Sequence, residues 1–484
     1  MTEKRDKRKW IARGSWAVAD QGFFAVGSVL LNVLLARWLT PREYGAFAVG
    51  YALFLLLATL HTAFVTEPLL VFGAGKYSAQ LRQYLQTLLR LHWYLTAAGS
   101  LSLIVAASVL YFSGVGPLAQ ALFGLGLAAP FSLLMWFARR SAYLLLKPRL
   151  AAFASAAYML LIVAGLSALA TLHLLSILAA MVTLGVTGAV AGFWLLHLLH
   201  AAARDTQAAA LAGPVIADHW RYGRWACATS MLMWVPLNFF FVVLSVAVSF
   251  QASATLKALS NLALPLLQVN AALGSLLLPA MVLRNQDREL FGKLLRLSLA
   301  LFASGALVYS IIVGALGHAL VPLLYGGRYN SNTDLLWLLL LIPILDGATM
   351  VLSSALRSLQ RPNRVFWAQL AVAAFVLAVG VPAAHSAGLW GAATVIVIAD
   401  ALGVIILGGG VLANLPARHV KPAQVINSLP YAPPHLRGEG LEVGLSTPAT
   451  SHLTPLRLRR GEETDHSPVQ TVDKLSLTSL FVKS

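Results

Sequence analysis

The sequence predicts an all-α polytopic membrane protein, with twelve transmembrane helices in two six-helix lobes around a central cavity. Three observations carry this prediction: the scarcity of charge, a series of apolar segments and an alternation of basic loops. Of the 484 residues, 11% are charged and 58% are hydrophobic, whereas a soluble domain has about 25% charged residues. A soluble enzyme could not solvate such a surface, and a chain with 12 Trp and 21 Phe is too apolar to be disordered.

Apolar segments of about 20 residues are long enough to cross the hydrocarbon layer as helices. The predicted spans are 16–38, 44–66, 94–112, 118–137, 151–172, 174–196, 225–249, 257–283, 297–320, 335–356, 365–384 and 389–413. The first span is too long for the apolar region of a signal peptide and lacks a cleavage site, so we expect it to be retained.

Lysine and arginine alternate between the loops as the positive-inside rule requires. The N-terminus and every second loop hold 23 of the 35 basic residues, the intervening loops hold 4, and the C-terminal tail holds 8. We therefore expect both termini to be cytoplasmic. The net charge of +17 reflects this topology, and we expect no nucleic-acid partner.

The spans group into a predicted domain order with a possible internal repeat. The segments are a basic N-terminus (1–14), a first lobe (15–199), a cytoplasmic linker (200–224), a second lobe (225–413) and a disordered cytoplasmic tail (414–484). Two weak correspondences, residues 14–17 with 223–226 and 147–148 with 361–362, indicate that the lobes are repeats. A repeat of this kind would place the substrate site between the lobes.

Charged residues at membrane depth are functional candidates, because each costs a few kcal/mol to insert. The carboxylates are Asp20, Asp346 and Asp400, with Glu67 near the inner end of span 2. Lys257 shares a helical stripe with Asn261 and Gln268, and Pro265 interrupts that stripe. Structural alternatives stay open: the carboxylates could pair with neighbouring helices, Lys257 could reach the outer interface, and Pro265 could be an ordinary kink.

Enzyme motifs are missing from the sequence. Gly73-Ala74-Gly75-Lys76 lacks the spacing of a P-loop and its following Ser or Thr, so we do not expect ATP-driven transport. The 12 histidines are scattered, and the outer loops are too short for a catalytic site. We expect a transporter rather than an enzyme, with no cofactor beyond possible proton or sodium coupling.

Residues 36–48, ARWLTPREYGAFA, resemble the segment that joins the first two helices of polysaccharide and O-antigen flippases. These proteins belong to the multidrug/oligosaccharidyl-lipid/polysaccharide (MOP) exporter superfamily. The resemblance extends over residues 13–413. Further similar pieces are Asp20-Gln21, Glu67-Pro68, Arg139-Arg140 with Lys147-Pro148-Arg149, Asn261 with Pro265, residues 325–329, Leu356-Arg357 and Arg361-Pro362.

The resemblance implies an alternating-access flippase in the bacterial inner membrane. It would move an undecaprenyl-pyrophosphate-linked oligosaccharide to the periplasmic leaflet for O-antigen, capsule or exopolysaccharide synthesis, next to the polysaccharide assembly machinery. Cationic groups would hold the pyrophosphate. The candidates for pyrophosphate or sugar binding are Arg37, Arg140, Lys257, Arg357, Asn261 and Gln268. The candidates for ion coupling are Asp20, Asp346 and Asp400. The candidates for gating are Pro265 and Glu67.

Three alternatives stay open at this stage. A multidrug exporter of the same superfamily would have an acidic and aromatic cavity without phosphate-binding cations. A peptidoglycan-precursor flippase usually has fourteen helices, which disagrees with the count of twelve. A membrane polysaccharide polymerase or ligase would need a larger outer loop than the sequence offers.

Overall fold

The computed structural model describes residues 2–199, 212–284 and 287–415, and within these residues every regular element is helical. The helices are α1 (Thr2–Trp38), α2 (Pro41–His61), α3 (Glu67–Ala74), α4 (Leu81–Phe112), α5 (Gly116–Leu144), α6 (Pro148–Thr171), α7 (Ile177–Leu199), α8 (Ala212–Ala247), α9 (Phe250–Ser260), α10 (Leu264–Val282), α11 (Arg288–Ala315), α12 (Gly317–Tyr325), α13 (Leu335–Leu339), α14 (Ile342–Ser358) and α15 (Pro362–Ala413). A π-helical turn, Thr62–Thr66, joins α2 to α3.

Ten of the described helices are long and apolar enough to cross a membrane, and α8, which bends by 51° beside Pro236, makes eleven. The all-α, multi-pass prediction is therefore confirmed. The number of spans depends on how α15 is divided. This 52-residue helix breaks at Gly388, where φ is +57°, and a Cβ on Gly403 would lie 3.3 Å from Val372. Since these two residues are 31 positions apart, α15 folds back on itself, and its two arms correspond to the predicted spans 11 and 12.

The ends of several helices differ from the predicted spans. Residues 212–224, assigned from sequence to the linker, form the first part of α8, and α4 begins at Leu81 rather than at residue 94. Residues 200–211 of the predicted linker and 416–484 of the predicted tail lie outside the described residues. The predicted N-terminal segment is continuous with α1 from Thr2.

Two predicted spans are each built from two helices. Span 8 consists of α9 and α10, separated at residues 261–263. Pro265 lies in the first turn of α10, where the missing N–H of proline is tolerated. Span 10 consists of α13 and α14, and Pro343 occupies the first turn of α14. Both proline positions therefore mark helix starts rather than kinks inside continuous helices.

The helices of each half of the chain pack mainly with one another. In the first half, α5 packs against α4 and α7, and α1 packs against α6. In the second half, α14 packs against α10, α11 and α15, and α15 also packs against α8. Helix α2 contacts α8 and α9 and so joins the halves. We call the side with the loops at 75–80, 145–147 and 359–361 the basic side, and the side with the loops at 39–40, 248–249 and 326–334 the opposite side.

Candidate functional site

Two arginines join the halves at the opposite side. Arg37, in the last turn of α1, donates from Nη1 to the Leu323 carbonyl at 2.6 Å, at the C-terminal end of α12. Arg328, just after α12, donates to the Leu39 carbonyl, just after α1. A helix C-terminus carries unpaired carbonyls and a partial negative charge, which favour a cation. These reciprocal contacts, which we call the arginine clasp, hold the ends of α1 and α12 together.

Local sequence explains why the clasp is held in place. Thr40 and Glu43 form a capping box at the start of α2, in which the Glu43 carboxylate accepts from the Thr40 N–H at 2.9 Å. Gly326 ends α12 in the left-handed region, with φ at +64°. Both arginines therefore project from helix ends whose backbone direction is fixed.

A buried layer of tyrosines closes the opposite side beneath the arginine clasp. Asn261 donates from Nδ2 to the Tyr44 hydroxyl at 2.8 Å, across the two halves. Tyr325 donates to the Ala258 carbonyl at 2.8 Å, and the ring of Tyr329 lies 6.5 Å from that of Tyr44. Helices α2 and α9 are so close that a Cβ on Gly45 would overlap the Phe250 carbonyl oxygen. The structure is therefore closed on this side.

Lys257 lies between the two halves with only 8% of its surface exposed. Its Nζ is 5.2 Å from the ring centre of Tyr51 on α2 and 5.0 Å from that of Phe241 on α8. It forms no hydrogen bond or ion pair with any residue that the structure describes. Ring faces attract a cation but leave its N–H groups without acceptors. An anion placed beside Lys257 would satisfy both its charge and its donors.

A polar cavity of about 150 Å³ opens in the first half. Beside it, Asp20 is fully buried and accepts from Arg139 Nη2 at 2.7 Å, Arg139 Nε at 3.2 Å, Tyr143 at 2.6 Å and Ser155 at 2.5 Å. Asp20 therefore neutralises Arg139, whereas Arg140 forms no ion pair with a described residue. The cavity is lined by Gln21, Phe24, Thr62, Thr66, Trp136, Arg139, Arg140 and Tyr143. Arg140 places a positive charge at its wall that no carboxylate among the described residues contacts directly.

The second half contains a pair of carboxylates instead. Asn270 on α10 donates from Nδ2 to Asp346 Oδ2 at 3.0 Å and to the Pro343 carbonyl at 2.9 Å. Asp400, on the second arm of α15, is close enough to Asp346 for their charges to interact. Among the described residues, no basic side chain pairs with either carboxylate. The structure thus brings together two of the three predicted ion-coupling residues and separates them from Asp20.

The other sequence candidates lie apart from these clusters. Arg357, in the last turn of α14, and Gln268, on α10, are both exposed. Neither forms a hydrogen bond or ion pair with a described residue. Glu67, the first residue of α3, accepts from the Tyr222 hydroxyl at 2.8 Å and so ties α3 to α8 on the basic side. The roles predicted for these three residues stay predictions.

Several residues of these clusters were not among the sequence candidates. Arg139 was assigned from sequence only to a basic loop and to the family resemblance, yet it holds Asp20. Arg328 is predicted from sequence only as a loop residue and as part of the resemblance at residues 325–329, and its acceptor is a backbone carbonyl, which leaves no sequence signal. Asn270, Tyr51 and Phe241 carry no motif. Helical spacing from Lys257 does not reach them, because they lie on three other helices, α10, α2 and α8, beyond the breaks that end α9.

Comparisons with known proteins give matches at the level of three-dimensional structure. No protein-family model matches this sequence, and no curated protein matches it either. The lipid II flippase MurJ in an inward closed conformation is similar with a TM-score of 0.64 and 14% identity, over 82% of this chain and 87% of that one. An inward-facing multidrug resistance MATE transporter of the MOP superfamily is similar with a TM-score of 0.63 and 14% identity, over 82% and 97%.

A third similar structure is a MOP-superfamily transporter from Pyrococcus furiosus, described as having a binding pocket of reverse polarity. Its TM-score is 0.56 at 13% identity, over 84% of this chain and 97% of that one. At these identities the likeness concerns the fold. The expectation of a MOP-type architecture is therefore confirmed, and the chain has the fold of the MOP-superfamily transporters.

Proposed function

We propose that this protein is an alternating-access flippase of the bacterial inner membrane that translocates a lipid-linked, pyrophosphate-bearing oligosaccharide. The observation that carries the proposal is Lys257, a buried ammonium between the two halves that has aromatic neighbours but no anion. A buried charge without a partner is unfavourable. A transporter that binds an anionic headgroup at this position supplies that partner in every cycle.

The cavity of the first half supports the same substrate class. A pyrophosphate has several acceptor oxygens, and cationic donors bind it through charge-assisted hydrogen bonds. Arg140 contributes a positive charge without a direct ion pair, while Gln21, Thr62 and Thr66 contribute neutral hydrogen-bonding groups suited to a sugar. The cavity volume fits part of a headgroup, so the remainder would occupy the space that appears when the halves separate.

The closed opposite side supports alternating access. The arginine clasp and the tyrosine layer seal that side, so the substrate would enter from the basic side, which we expect to be cytoplasmic. Release requires the clasp to open and the basic side to close.

Asp346 and Asp400 would drive the return step by binding a proton or sodium ion, because a carboxylate pair without a basic partner favours a cation.

The same carboxylate pair favours a second candidate, a cation-coupled multidrug exporter. An organic cation would bind between acidic and aromatic groups, and in this candidate Asp346 and Asp400 would face the drug. Lys257 and Arg140 oppose it, since both would repel a cationic drug. The two candidates therefore differ in which charged residues contact the transported molecule, Lys257 and Arg140 in the flippase or Asp346 and Asp400 in the exporter.

Transport by the purified protein in lipid vesicles separates these candidates. The probe is a short-chain, fluorescent lipid pyrophosphate-linked sugar, and its flipping is followed by chemical quenching of the outer leaflet. We expect flipping by the wild type, at least tenfold slower flipping by Lys257→Met, and normal flipping by the control Lys147→Met, which removes an exposed charge. Transport of a cationic dye without lipid flipping would overturn the flippase and support the exporter.

A test in cells addresses the biological role. Deleting the gene should make lipid-linked oligosaccharide accumulate on the cytoplasmic side while surface polysaccharide is lost. Normal surface polysaccharide combined with increased sensitivity to cationic dyes would contradict the proposal.

A further inference from the structure

A pair of histidines lies in the interior of the first half, outside the clusters described above. His61, at the end of α2, and His92, on α4, are 3% and 0% exposed. Nε2 of His61 lies 2.9 Å from Nδ1 of His92, which is hydrogen-bonding distance. The two rings are nearly perpendicular, at 85°, and His92 packs against Phe137 and Trp93. The two imidazole rings thus form a buried pair joined by a direct hydrogen bond.

The outer nitrogens of the pair determine where its hydrogens lie. A neutral imidazole has one N–H and one lone pair. Nδ1 of His92 is engaged by His61, so the interaction of His92 with the backbone of Pro130, which offers only a carbonyl acceptor, falls to Nε2, where no full hydrogen bond forms. This carbonyl favours the N–H on Nε2 of His92, so Nδ1 of His92 accepts and Nε2 of His61 donates. Nδ1 of His61 is then left with a bare lone pair and no partner among the described residues.

None of the charged or titratable groups on the surrounding elements bonds to that lone pair. Asp20 on α1 binds Arg139 on α5, Glu67 on α3 binds Tyr222 on α8, and His219 on α8 binds Tyr84 on α4 and the Phe64 carbonyl. Other charged and titratable residues of these elements, which form no hydrogen bond with His61, are Arg82 and Arg90 on α4, Arg140 and Tyr143 on α5, and Asp218, Arg221 and Arg224 on α8. Two histidines without a third ligand also do not form a metal site, and no metal-binding group occurs within the described residues.

The pair is directly connected to the wall of the polar cavity. The π-helical turn Thr62–Thr66 begins at the residue after His61, and its Thr62 and Thr66 both line the cavity. A π-helical turn is a rare, weakly favoured conformation that is often found at functional sites. His61 is therefore joined to the cavity wall by the backbone alone, without any intervening side chain.

We propose that the His61–His92 pair is a proton-binding site, in which Nδ1 of His61 accepts the proton and the added charge shifts the π-helical turn that lines the cavity. The proton comes from water in the cavity and returns to it. A protonated His61 has two donors and a full charge in an apolar interior. The favourable response is to move this end of α2 toward cavity water, which changes the position of Thr62 and Thr66. Only the physiological role of this site rests on the proposed transport function; proton binding does not.

Nitrogen-15 NMR of the histidine-labelled, full-length protein in lipid vesicles tests proton binding without any substrate. We expect one coupled pair of imidazole signals at neutral pH, in which one ring has a nitrogen without a hydrogen, and we expect that ring to become doubly protonated on acidification while the protein stays folded. The signals should vanish in the His61→Gln, His92→Gln double variant and persist in the control His385→Gln, which alters an exposed histidine. A pair that stays neutral until the protein unfolds would overturn the proposal.

A second measurement tests the link to the cavity. A single cysteine replaces Thr66 in a Cys227→Ser background, and its reaction with a neutral alkylating reagent is followed as the pH is changed. We expect its reaction rate to change several-fold more with pH than the rate of a reference cysteine that replaces Ser386. This difference in pH dependence should disappear in the double histidine variant, and an unchanged difference would contradict the link. The wild-type NMR titration decides the proton site even if the double variant does not fold, and failure of lipid flipping would affect neither result.

Discussion

Both halves of the molecule place carboxylates at membrane depth, but they treat them in opposite ways. In the first half, Asp20 accepts four hydrogen bonds, two of them from Arg139, so its charge and its lone pairs are satisfied. In the second half, Asp346 has one amide donor, and its charged neighbour is another carboxylate, Asp400. The same residue type is therefore part of the framework in one half and available for chemistry in the other. Environment, rather than residue identity, separates these roles.

The largest loss of stability is expected when the Asp20 carboxylate is removed. Asp20→Ala leaves Arg139 buried without its partner, and breaking such a pair costs about 3–5 kcal/mol. We expect low abundance in the membrane and a lower midpoint of thermal unfolding in detergent. Asp20→Ala combined with Arg139→Met should regain much of the loss. Normal stability of the single variant would show that this pair is not structural.

Substitution in the carboxylate pair of the second half, Asp346 and Asp400, should lower transport and leave stability unchanged. Asp346→Asn keeps the size of the side chain and its acceptor for Asn270, so we expect wild-type abundance and thermal stability. Transport, in contrast, should fall at least tenfold, because the site loses a titratable group. The vesicle assay measures transport, and size-exclusion chromatography measures abundance. An abundant, fully active variant would remove Asp346 from the mechanism.

An intermediate effect is expected at the interface between the halves. Gly45→Ala places a methyl group against the Phe250 carbonyl, which is backbone and cannot move aside, so the closed opposite side should become strained. We expect a shift toward the conformation open on that side, measured as faster labelling of a cysteine introduced at Asn261. Gly14→Ala, where the added Cβ meets nothing within 4 Å, is the matched control. Equal labelling rates would contradict the interpretation of this contact as part of the seal.

The smallest effect is expected on the basic side. Tyr222→Phe removes the hydrogen bond to Glu67, which lies near solvent, and we expect a loss of about 0.5–1.5 kcal/mol in unfolding free energy. Transport should stay close to the wild-type rate, because this hydrogen bond lies outside the polar cavity and the carboxylate pair. A large loss of transport with normal stability would instead support a gating role for Glu67.

The transmembrane helices could be predicted from the sequence because their signal is local. Each span is an uninterrupted apolar window, and the basic loops test the count independently. The capping box at Thr40 and Glu43 is also visible, because its two partners are three residues apart. The division of α15 is local as well, since the gap between predicted spans 11 and 12 covers residues 385–388 and the helix breaks at Gly388.

The pairing within the clusters could not be predicted from the sequence. Asp20 and Arg139 are 119 positions apart, and Tyr44 and Asn261 are 217 apart, so no periodicity relates them. Lys257 was identified by its depth, but its aromatic neighbours come from α2 and α8. The histidines look scattered in the sequence, because His61 and His92 are 31 positions apart on different helices. Tertiary packing, not local pattern, creates these sites.

The arginine clasp uses main-chain oxygens as its acceptors, and this has a genetic consequence. A main-chain carbonyl is present at Leu39 and Leu323 whatever side chain these positions carry, so a side-chain substitution there does not remove the acceptor itself. Only the donor side can be lost by a point substitution. Variants that weaken the seal should therefore be recovered at Arg37 and Arg328, and compensating changes should accumulate elsewhere in the interface rather than at the leucines.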